Sequence, residues 1–324
     1  MSSKEKVLEI LENNRGKTIS GENIACELNL SRNAVWKVIE SLRKDGYQIS
    51  AVKNRGYSLS PDTNILSVQG IIPHLSKEHY ADHLYIFQTL DSTNKKAKEM
   101  AINGCQHGTV VLSDTQTAGK GRHGKSFYSP PDSGLYISFI LRSASIHVSR
   151  ITLITAAAAV AVCRAIKSVV GIEPGIKWVN DIFVDNKKIC GILTEAVSDL
   201  ESGEIDWIVI GIGININTSF PDDLTDIAGS LKLSETNSNV RNRLAAELIN
   251  ILISSNDWAE NEDVYEEYKS RQIILGKPVT VLESNNTYEA LAVDIDKEGH
   301  LIVKTKDGHL TALSSGEVSV KKQR

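Results

Sequence analysis

Two adjacent prolines, Pro130 and Pro131, limit what the segment before them can be. Just upstream runs "GKGRHGKS", Gly119–Ser126, which fits both G-x-x-x-x-G-K-S and G-x-G-x-x-G. Either phosphate-binding motif needs a strand before it and a helix after it, because the first amides of that helix hold the phosphate. The strand is present as "TVVLSD". The helix is excluded, since "FYSPPDSG" follows and proline lacks the amide and clashes with the preceding turn. No hydrophobic run ending in a second nucleotide-binding acid follows, and neither H-R-D nor D-F-G of a kinase occurs downstream. What remains is a flexible loop between two strands, with three glycines and the cations Lys120, Arg122 and Lys125. Ordering such a loop costs backbone entropy. An anionic ligand could offset that cost; a plain surface turn is the alternative.

Strand follows strand on both sides of this loop. The runs "LYIFQTL", "GTVVLSD", "GLYISFIL", "GIKWV", "KICGILTEAV" and "DWIVIGIGINI" read as strands, and "NKKAKEMAIN", "VSRITLITAAAAVAVCRAIKSV", "RNRLAAELINILISS" and "DVYEEYKSRQI" as helices. Consecutive strands exclude a simple doubly wound sheet and predict an α+β layer, a mixed sheet with helices on one face. The most apolar run, Ile151–Cys163, has 13 residues and stops at Arg164, which is too short for a bilayer and predicts a core helix. Cys26, Cys105, Cys163 and Cys190 form no C-x-x-C, so neither a zinc site nor a disulfide framework is indicated. The charged, amphipathic "MSSKEKVLEILENNRGK" does not read as a leader. A soluble, cytoplasmic protein without membrane contact is expected.

The two ends differ from the middle. In residues 1–61, Val7, Leu8 and Leu11 recur at helical spacing. Ser20 and Ser31 are placed to cap two short helices joined by a tight turn, and "YQISAVKNRGYSLS" reads as two strands about an Asn-Arg-Gly turn. This is a winged helix-turn-helix pattern. The net charge of the chain is −4, yet residues 31–60 hold six lysines and arginines against two acids. A basic island on an acidic protein points to a polyanion. Ser31, Arg32, Asn33, Trp36 and Lys37 on the second helix, with Lys53 and Arg55 on the wing, are the candidate DNA contacts. Trp36 could instead cover the helix core, and a packing module without nucleic acid is the bland alternative. Residues 276–324 are short strands separated by Glu298-Gly299 and Asp307-Gly308, a β-barrel of SH3-like size with no evident catalytic cluster. Residues 62–275 lie between.

Six short motifs occur in order: "DSTN" at Asp91–Asn94, "QTAG" at Gln116–Gly119, "GKGRHGK" at Gly119–Lys125, "KWVND" at Lys177–Asp181, "KICGIL" at Lys188–Leu193 and "GIGININ" at Gly211–Asn217. With a winged helix in front, the chain resembles the bifunctional biotin–protein ligases that also repress the biotin operon. The resemblance covers essentially the whole chain. It departs at Lys120 and Lys125, where the family has arginine, at Val179, where it has proline, and at Phe127, where many members have a tryptophan that stacks on adenine. Lysine loses the bidentate grip of arginine on phosphate, and phenylalanine stacks with less area.

The resemblance implies a class II synthetase-like central domain. It also implies biotin, ATP and Mg2+ as reactants, a biotin carboxyl carrier protein as acceptor, operator DNA as a partner, and a homodimer when the adenylate is bound. It makes Arg122 and Lys188 the catalytic candidates. Biotin falls to Ser92, Thr93, Asn94, Gln116, Gly119, Lys120, Gly121, Arg122, Lys188 and Gly191. The nucleotide falls to Arg122, Lys125, Phe127, Asn180, Lys188 and Asn215. Asp181 would assist the metal or hold Lys177; the metal ligands stay unassigned. Read from the residues alone, Ser92 is a helix cap and Asn215 a turn at a strand end. A non-catalytic biotin-sensing repressor and a lipoate ligase relative are the competing functions.

Overall fold

A computed structural model of the protein describes residues 1–52, 55–142, 150–198, 205–233, 239–253, 261–283 and 286–320. The first unit holds α1 (Ser3–Asn13), α2 (Gly21–Glu27) and α3 (Arg32–Lys44), then the antiparallel pair β1 (Ile49–Val52) and β2 (Gly56–Leu59). Ser2, Ser20 and Ser31 cap the three helices through side-chain oxygens. Their apolar stripes meet in one small core of Val7, Leu8, Leu11, Ile24, Val35, Ile39 and Leu42, closed by Leu59. Gly56 sits at φ +126°, where an added Cβ would run into the Ile19 carbonyl, so only glycine fits. Lys53 and the start of the wing turn lie outside the described residues.

Arg15 straps this unit to the body. Its guanidinium grips Glu12 through two nitrogens and donates to the carbonyls of Ser60, Pro61 and Thr63, the last at 2.6 Å. A short helix, α4 (Val68–Ile71), follows, which the apolar pattern did not announce.

The central sheet has seven strands in the order β3-β4-β5-β9-β8-β7-β6. These are β3 (Leu84–Leu90), β4 (Thr109–Gln116), β5 (Gly134–Arg142), β6 (Gly175–Lys177), β7 (Asp181–Val184), β8 (Lys187–Ser198) and β9 (Ile205–Asn215). Only β3 and β4 are parallel, joined across α5 (Thr93–Ile102); the other pairs are antiparallel. The mixed α+β sheet is as expected, but its helices are not confined to one face. In β5, Leu135, Ile137, Phe139 and Leu141 face α6 (Ile151–Val170) and α7 (Val240–Ile253). Ile140 faces the other way, where Ala97 and Ala101 of α5 pack on it with Val111 and Val209. The short βαβ crossover puts α5 there, and two alanines let it approach closely. Strand β7 was not foreseen, and "GIKWV" ends as a strand at Lys177, after which Trp178 turns inward and donates to Gly299 O.

Helix α6 runs on past Arg164 because that guanidinium reaches Glu267 at 2.7 Å and need not end the helix. Its 20 residues make it long and apolar enough, by length and composition, to cross a membrane; here Ile154–Cys163 is buried throughout. After α8 (Glu262–Ser270) come β10 (Pro278–Glu283), β11 (Asn286–Ile295), β12 (Leu301–Thr305), β13 (Leu310–Leu313) and β14 (Glu317–Val320). They form an antiparallel sheet ordered β13-β12-β11-β10-β14, and its inner residues Val279, Val281, Ala292 and Val303 join the central core.

Arg241, 1 % exposed, is the most enclosed charge among the described residues. It bonds Asp114 at 2.6 Å and the Gly134 carbonyl at 2.9 Å. Breaking a buried pair from one side leaves an unpaired buried charge and costs about 3–5 kcal/mol. Arg241→Met is therefore expected to lose about that much stability in urea unfolding, and adding Asp114→Asn to recover part of it. A loss below ~1 kcal/mol would show that the pair does not hold α7 to the sheet.

Candidate active site

A cavity of ≈ 770 Å³ lies between the central sheet and the outer side of the C-terminal one. Its walls are the start of α5, the glycine loop, the β6–β7 turn, strands β8 and β9, and residues of β10 and β14. The floor is made without side chains. Gly191 of β8 stands opposite Gly213 of β9, with Gly211 two positions on. An added Cβ at Gly213 would lie 2.5 Å from the Phe127 ring, and one at Gly211 would strike the Asn94 amide. The Phe127 ring thus rests on the bare floor, edge-on to buried Tyr136 with centroids 6.4 Å apart.

One end is polar and uncharged. Ser92 caps α5, and its Oγ accepts from Lys95 N at 3.4 Å. The Thr93 amide donates to Gln116 Oε1 at 2.8 Å, and Gln116 Nε2 donates to Ser129 Oγ at 2.9 Å. Asn94 lines the cavity, but its amide is spent on the protein: Nδ2 donates to Glu195 and to Leu193 O, and Oδ1 faces Ser138 Oγ at 2.7 Å. Asn94, expected on biotin, thus stands in the cavity wall with its amide held by the protein. Gly119, by contrast, is absent from the wall; it packs beneath, where a Cβ would meet Phe127 O and Ser129 Oγ.

The other end is cationic. Arg122 donates to Asn180 Oδ1 at 3.1 Å, while Asn180 Nδ2 donates to Ile192 O at 2.9 Å. Asn180, expected on the nucleotide, lines the cavity and also holds Arg122 to β8. Burial pulls the Arg122 pKa down, with Asp181 and Glu317 opposing, yet a guanidinium stays charged. Lys188 Nζ lies 2.6 Å from Asp181 Oδ1, close enough for an ion pair but not aligned as a hydrogen bond. Asp181, expected either to assist the metal or to hold Lys177, pairs with Lys188. Burial lowers the Lys177 pKa, again against Asp181. Asn215 is 3 % exposed at the end of β9, and its Oδ1 has no hydrogen-bond partner among the described residues, so it is not the satisfied turn that the residues alone suggested.

The glycine loop is less loose than its composition suggests. Gly121 N donates to Lys125 O at 2.7 Å, Phe127 N to Gly119 O at 2.9 Å, and Lys120 bridges to Ser126 as in a hairpin. Lys125 reaches Glu317 of β14 at 2.6 Å. A carboxylate of the protein thus supplies a counter-charge for one of the loop's three cations. Lys120, Gly121, Arg122, Lys125, Phe127, Lys188, Gly191 and Asn215 all line the cavity.

The DNA candidates form a separate surface. Ser31 caps α3; Arg32, Asn33 and Lys37 are exposed on it, and Arg55 on the wing. Trp36 is 50 % exposed and so does not cover the helix core. Arg32 is ion-paired with Glu22 of α2 at an exposed position.

Comparison with known proteins agrees over most of the chain. Residues 3–58 match an HTH domain, residues 86–215 the biotin/lipoate A/B protein ligase family, and residues 274–321 the biotin protein ligase C-terminal domain. The chain is 36% identical over 317 residues to the bifunctional ligase/repressor BirA of Bacillus subtilis (strain 168), covering 93% of this chain and 94% of that one. The chain belongs to the bifunctional biotin ligase/repressor family. The Escherichia coli (strain K12) ligase/repressor is 28% identical over 325 residues, covering 98% of this chain and 96% of its own. Among solved structures, the biotin protein ligase from Aquifex aeolicus in complex with biotin and ATP aligns with a TM-score of 0.59 at 25% identity, over 74% of this chain and 99% of that one.

Within this ligase/repressor, four residues in or behind the wall were not legible as site residues. Ser138 and Glu195 sit behind Asn94, and Glu317 and Thr280 come from the C-terminal sheet, where no cluster was evident. Ser138 left one signal, a hydroxyl in the otherwise apolar inner run of β5. Hydrogen bonding to Lys125 holds the Glu317 carboxyl below its usual range. A depressed carboxylate supports the closed hairpin above its ordinary pKa and ceases to as pH falls through the lowered value. The pair is partly exposed, so it is worth about 0.2–1 kcal/mol. Glu317→Ala is expected to speed tryptic cleavage after Lys120, Arg122 or Lys125 by roughly two- to fivefold, with other cuts unchanged. Equal rates would mean that the hairpin is held without Glu317.

Proposed function

We propose that the cavity joins biotin to ATP as biotinyl-5′-AMP and passes the biotinyl group to a lysine of a biotin carboxyl carrier protein. The chain is a biotin–protein ligase and a DNA-binding repressor of its family. The observation that carries the cavity's role is that Arg122 and Lys188, from two elements, line one cavity together with the uncharged polar side chains of Ser92, Thr93 and Gln116.

A biotin carboxylate oxygen attacks the α-phosphorus of ATP, the bond to the β-phosphate oxygen breaks, and pyrophosphate leaves. A neutral acceptor amine then attacks the carbonyl carbon of the mixed anhydride; the amide forms, AMP leaves and the amine gives up a proton. The first step brings two anions together, and fixed positive charge lowers that barrier. Arg122, held by Asn180, can bridge carboxylate and phosphate oxygens. Lys188 stands on a strand, so its stem is rigidly based. Ser92, Thr93 and Gln116 suit the ureido ring, with Lys120 and Gly121 beside them. Phe127 offers a face, and the unpartnered Asn215 Oδ1 an acceptor, to the base. Lys125 reaches phosphate by leaving Glu317.

Mg2+ would enter with ATP as part of the substrate, and Mg2+ takes one or two carboxylates beside phosphate oxygens. Asp181 and Asp226, both on the wall, fit that donor set. Adenylate binding favours homodimerisation, and two winged helices then meet a two-fold operator. ATP, carrier protein and operator together assign the work to the cytoplasm.

Pyrophosphate released on mixing protein, biotin and MgATP tests the ligase reading; none would leave a biotin-sensing repressor, and preference for lipoate over biotin a lipoate ligase. Lys188→Ala is expected to slow adenylation by roughly 10²–10³-fold in single-turnover assays. A wild-type rate would remove Lys188 from the chemistry. Arg32→Ala is expected to weaken operator binding and reduce its salt slope by about one, read by fluorescence anisotropy across a salt series. An unchanged slope would mean that Arg32 touches no phosphate.

A further inference from the structure

Behind the polar end of the cavity a chain of hydrogen bonds runs to the protein surface. It starts at Glu195 of β8, whose Oε1 is paired with Lys98 of α5 at 2.7 Å. Glu195 Oε2 accepts from Asn94 Nδ2 at 2.8 Å. Asn94 Oδ1 is 2.7 Å from Ser138 Oγ, and Ser138 Oγ is 2.8 Å from Thr93 Oγ1. Thr93 lines the cavity.

Counting hydrogens gives this chain a direction. A carboxylate can only accept, so the Asn94 amide must turn its nitrogen to Glu195. Its second N–H is taken by Leu193 O at 3.1 Å, which leaves only Oδ1 for Ser138. An amide oxygen has no hydrogen to give, so the one hydroxyl hydrogen of Ser138 goes to Asn94. The hydrogen between Ser138 and Thr93 must then come from Thr93. Gln116 Oε1, 3.2 Å from Thr93 Oγ1, is the other acceptor within reach, and Gln116 also lines the cavity. Either way the Thr93 hydrogen is taken by a protein acceptor, and its oxygen keeps a lone pair for a ligand in the cavity that Thr93 lines. The bare Cα of Gly211 beside Asn94 keeps the amide seated, since a Cβ there would strike it.

We infer that Glu195 is a positioning residue: through Asn94 and Ser138 it fixes the Thr93 hydroxyl as a hydrogen-bond acceptor, so that this end of the cavity selects a ligand N–H. A cyclic urea supplies such a donor. The inference rests on the ligase reading above, with biotin as the ligand at this end.

Glu195→Gln keeps the shape and reverses the direction. Lys98 can only donate, so the substituted amide must turn its oxygen to Lys98 and its nitrogen to Asn94. Asn94 then presents Oδ1 to that nitrogen and Nδ2 to Ser138, giving up its bond to Leu193 O; Ser138 donates to Thr93, and the Thr93 hydrogen leaves Ser138 and competes for Gln116 Oε1 with a ligand at the cavity wall. One lost hydrogen bond corresponds to roughly a three- to tenfold change. The Kd for biotin is expected to rise by about that factor in titration calorimetry, with the KM for ATP and kcat at saturating biotin unchanged. Discrimination between biotin and its ureido N-methyl analogue is expected to shrink by a similar factor. Adding Lys98→Met removes the donor that orients the substituted amide, and is expected to bring biotin affinity back to within about twofold of wild type. Lys98→Met alone is expected to bind biotin as wild type does. Unchanged biotin affinity and discrimination in Glu195→Gln, an equal rise in the KM for ATP, or no recovery on adding Lys98→Met would each overturn the inference. Wild-type protein that releases no pyrophosphate with biotin and MgATP would instead overturn the ligase reading.

Discussion

The Arg241–Asp114 pair ties helix α7 to the end of β4 and to the turn that leads into β5. Asp114 ends the buried part of β4, two residues before Gln116. Its carboxylate takes Arg241 from α7, Gln88 from β3 and the backbone amide of Asp132. Arg241 also holds Gly134, where the chain returns from the two prolines to β5. The glycine loop is thus anchored on its far side by a buried charge, and its near side by β4. The neighbouring residue works in the other direction: Asn242 fixes Ser67 N and Ile65 O, the linker that Arg15 grips from the winged helix. Two successive residues at the start of α7 therefore set the position of both the DNA-reading unit and the loop over the cavity.

Within the cavity, positive charge is stored rather than left bare. Lys125 rests on Glu317, Lys188 on Asp181 and Arg122 on Asn180. An isolated buried cation would be costly, which bears on Arg122 more than on exposed Lys125, and each of the three has a partner that an anion can replace. A phosphate or carboxylate entering here exchanges one set of charge-assisted bonds for another. The differences between those sets, more than the count of cations, decide how tightly an anion is held.

The sequence made the architecture legible where chemistry or periodicity is local. The prolines ruled out a helix after the loop, capping serines marked the winged helix, and six ordered motifs marked the cavity. What was not legible depends on partners far along the chain. Nothing near Asn94 says that Glu195 and Ser138 consume its amide, and nothing near Asn180 says that Arg122 does. The side of the sheet taken by α5 depends on the handedness of a crossover, not on the pattern within the helix. Strand β7, only four residues long, is too short for alternation to announce it. Glu317 stands on a strand whose own composition is ordinary, and only its pairing beside β10 brings it to Lys125.

The strand order β13-β12-β11-β10-β14 has a consequence for the order of events during synthesis. The winged helix is made first and has a core of its own. The cavity is finished last, because β14 must fold back beside β10 before Glu317, Val318 and Ser319 can supply its wall. A chain still emerging from the ribosome can therefore possess its DNA-reading unit well before it possesses a place in which to hold a reactive intermediate.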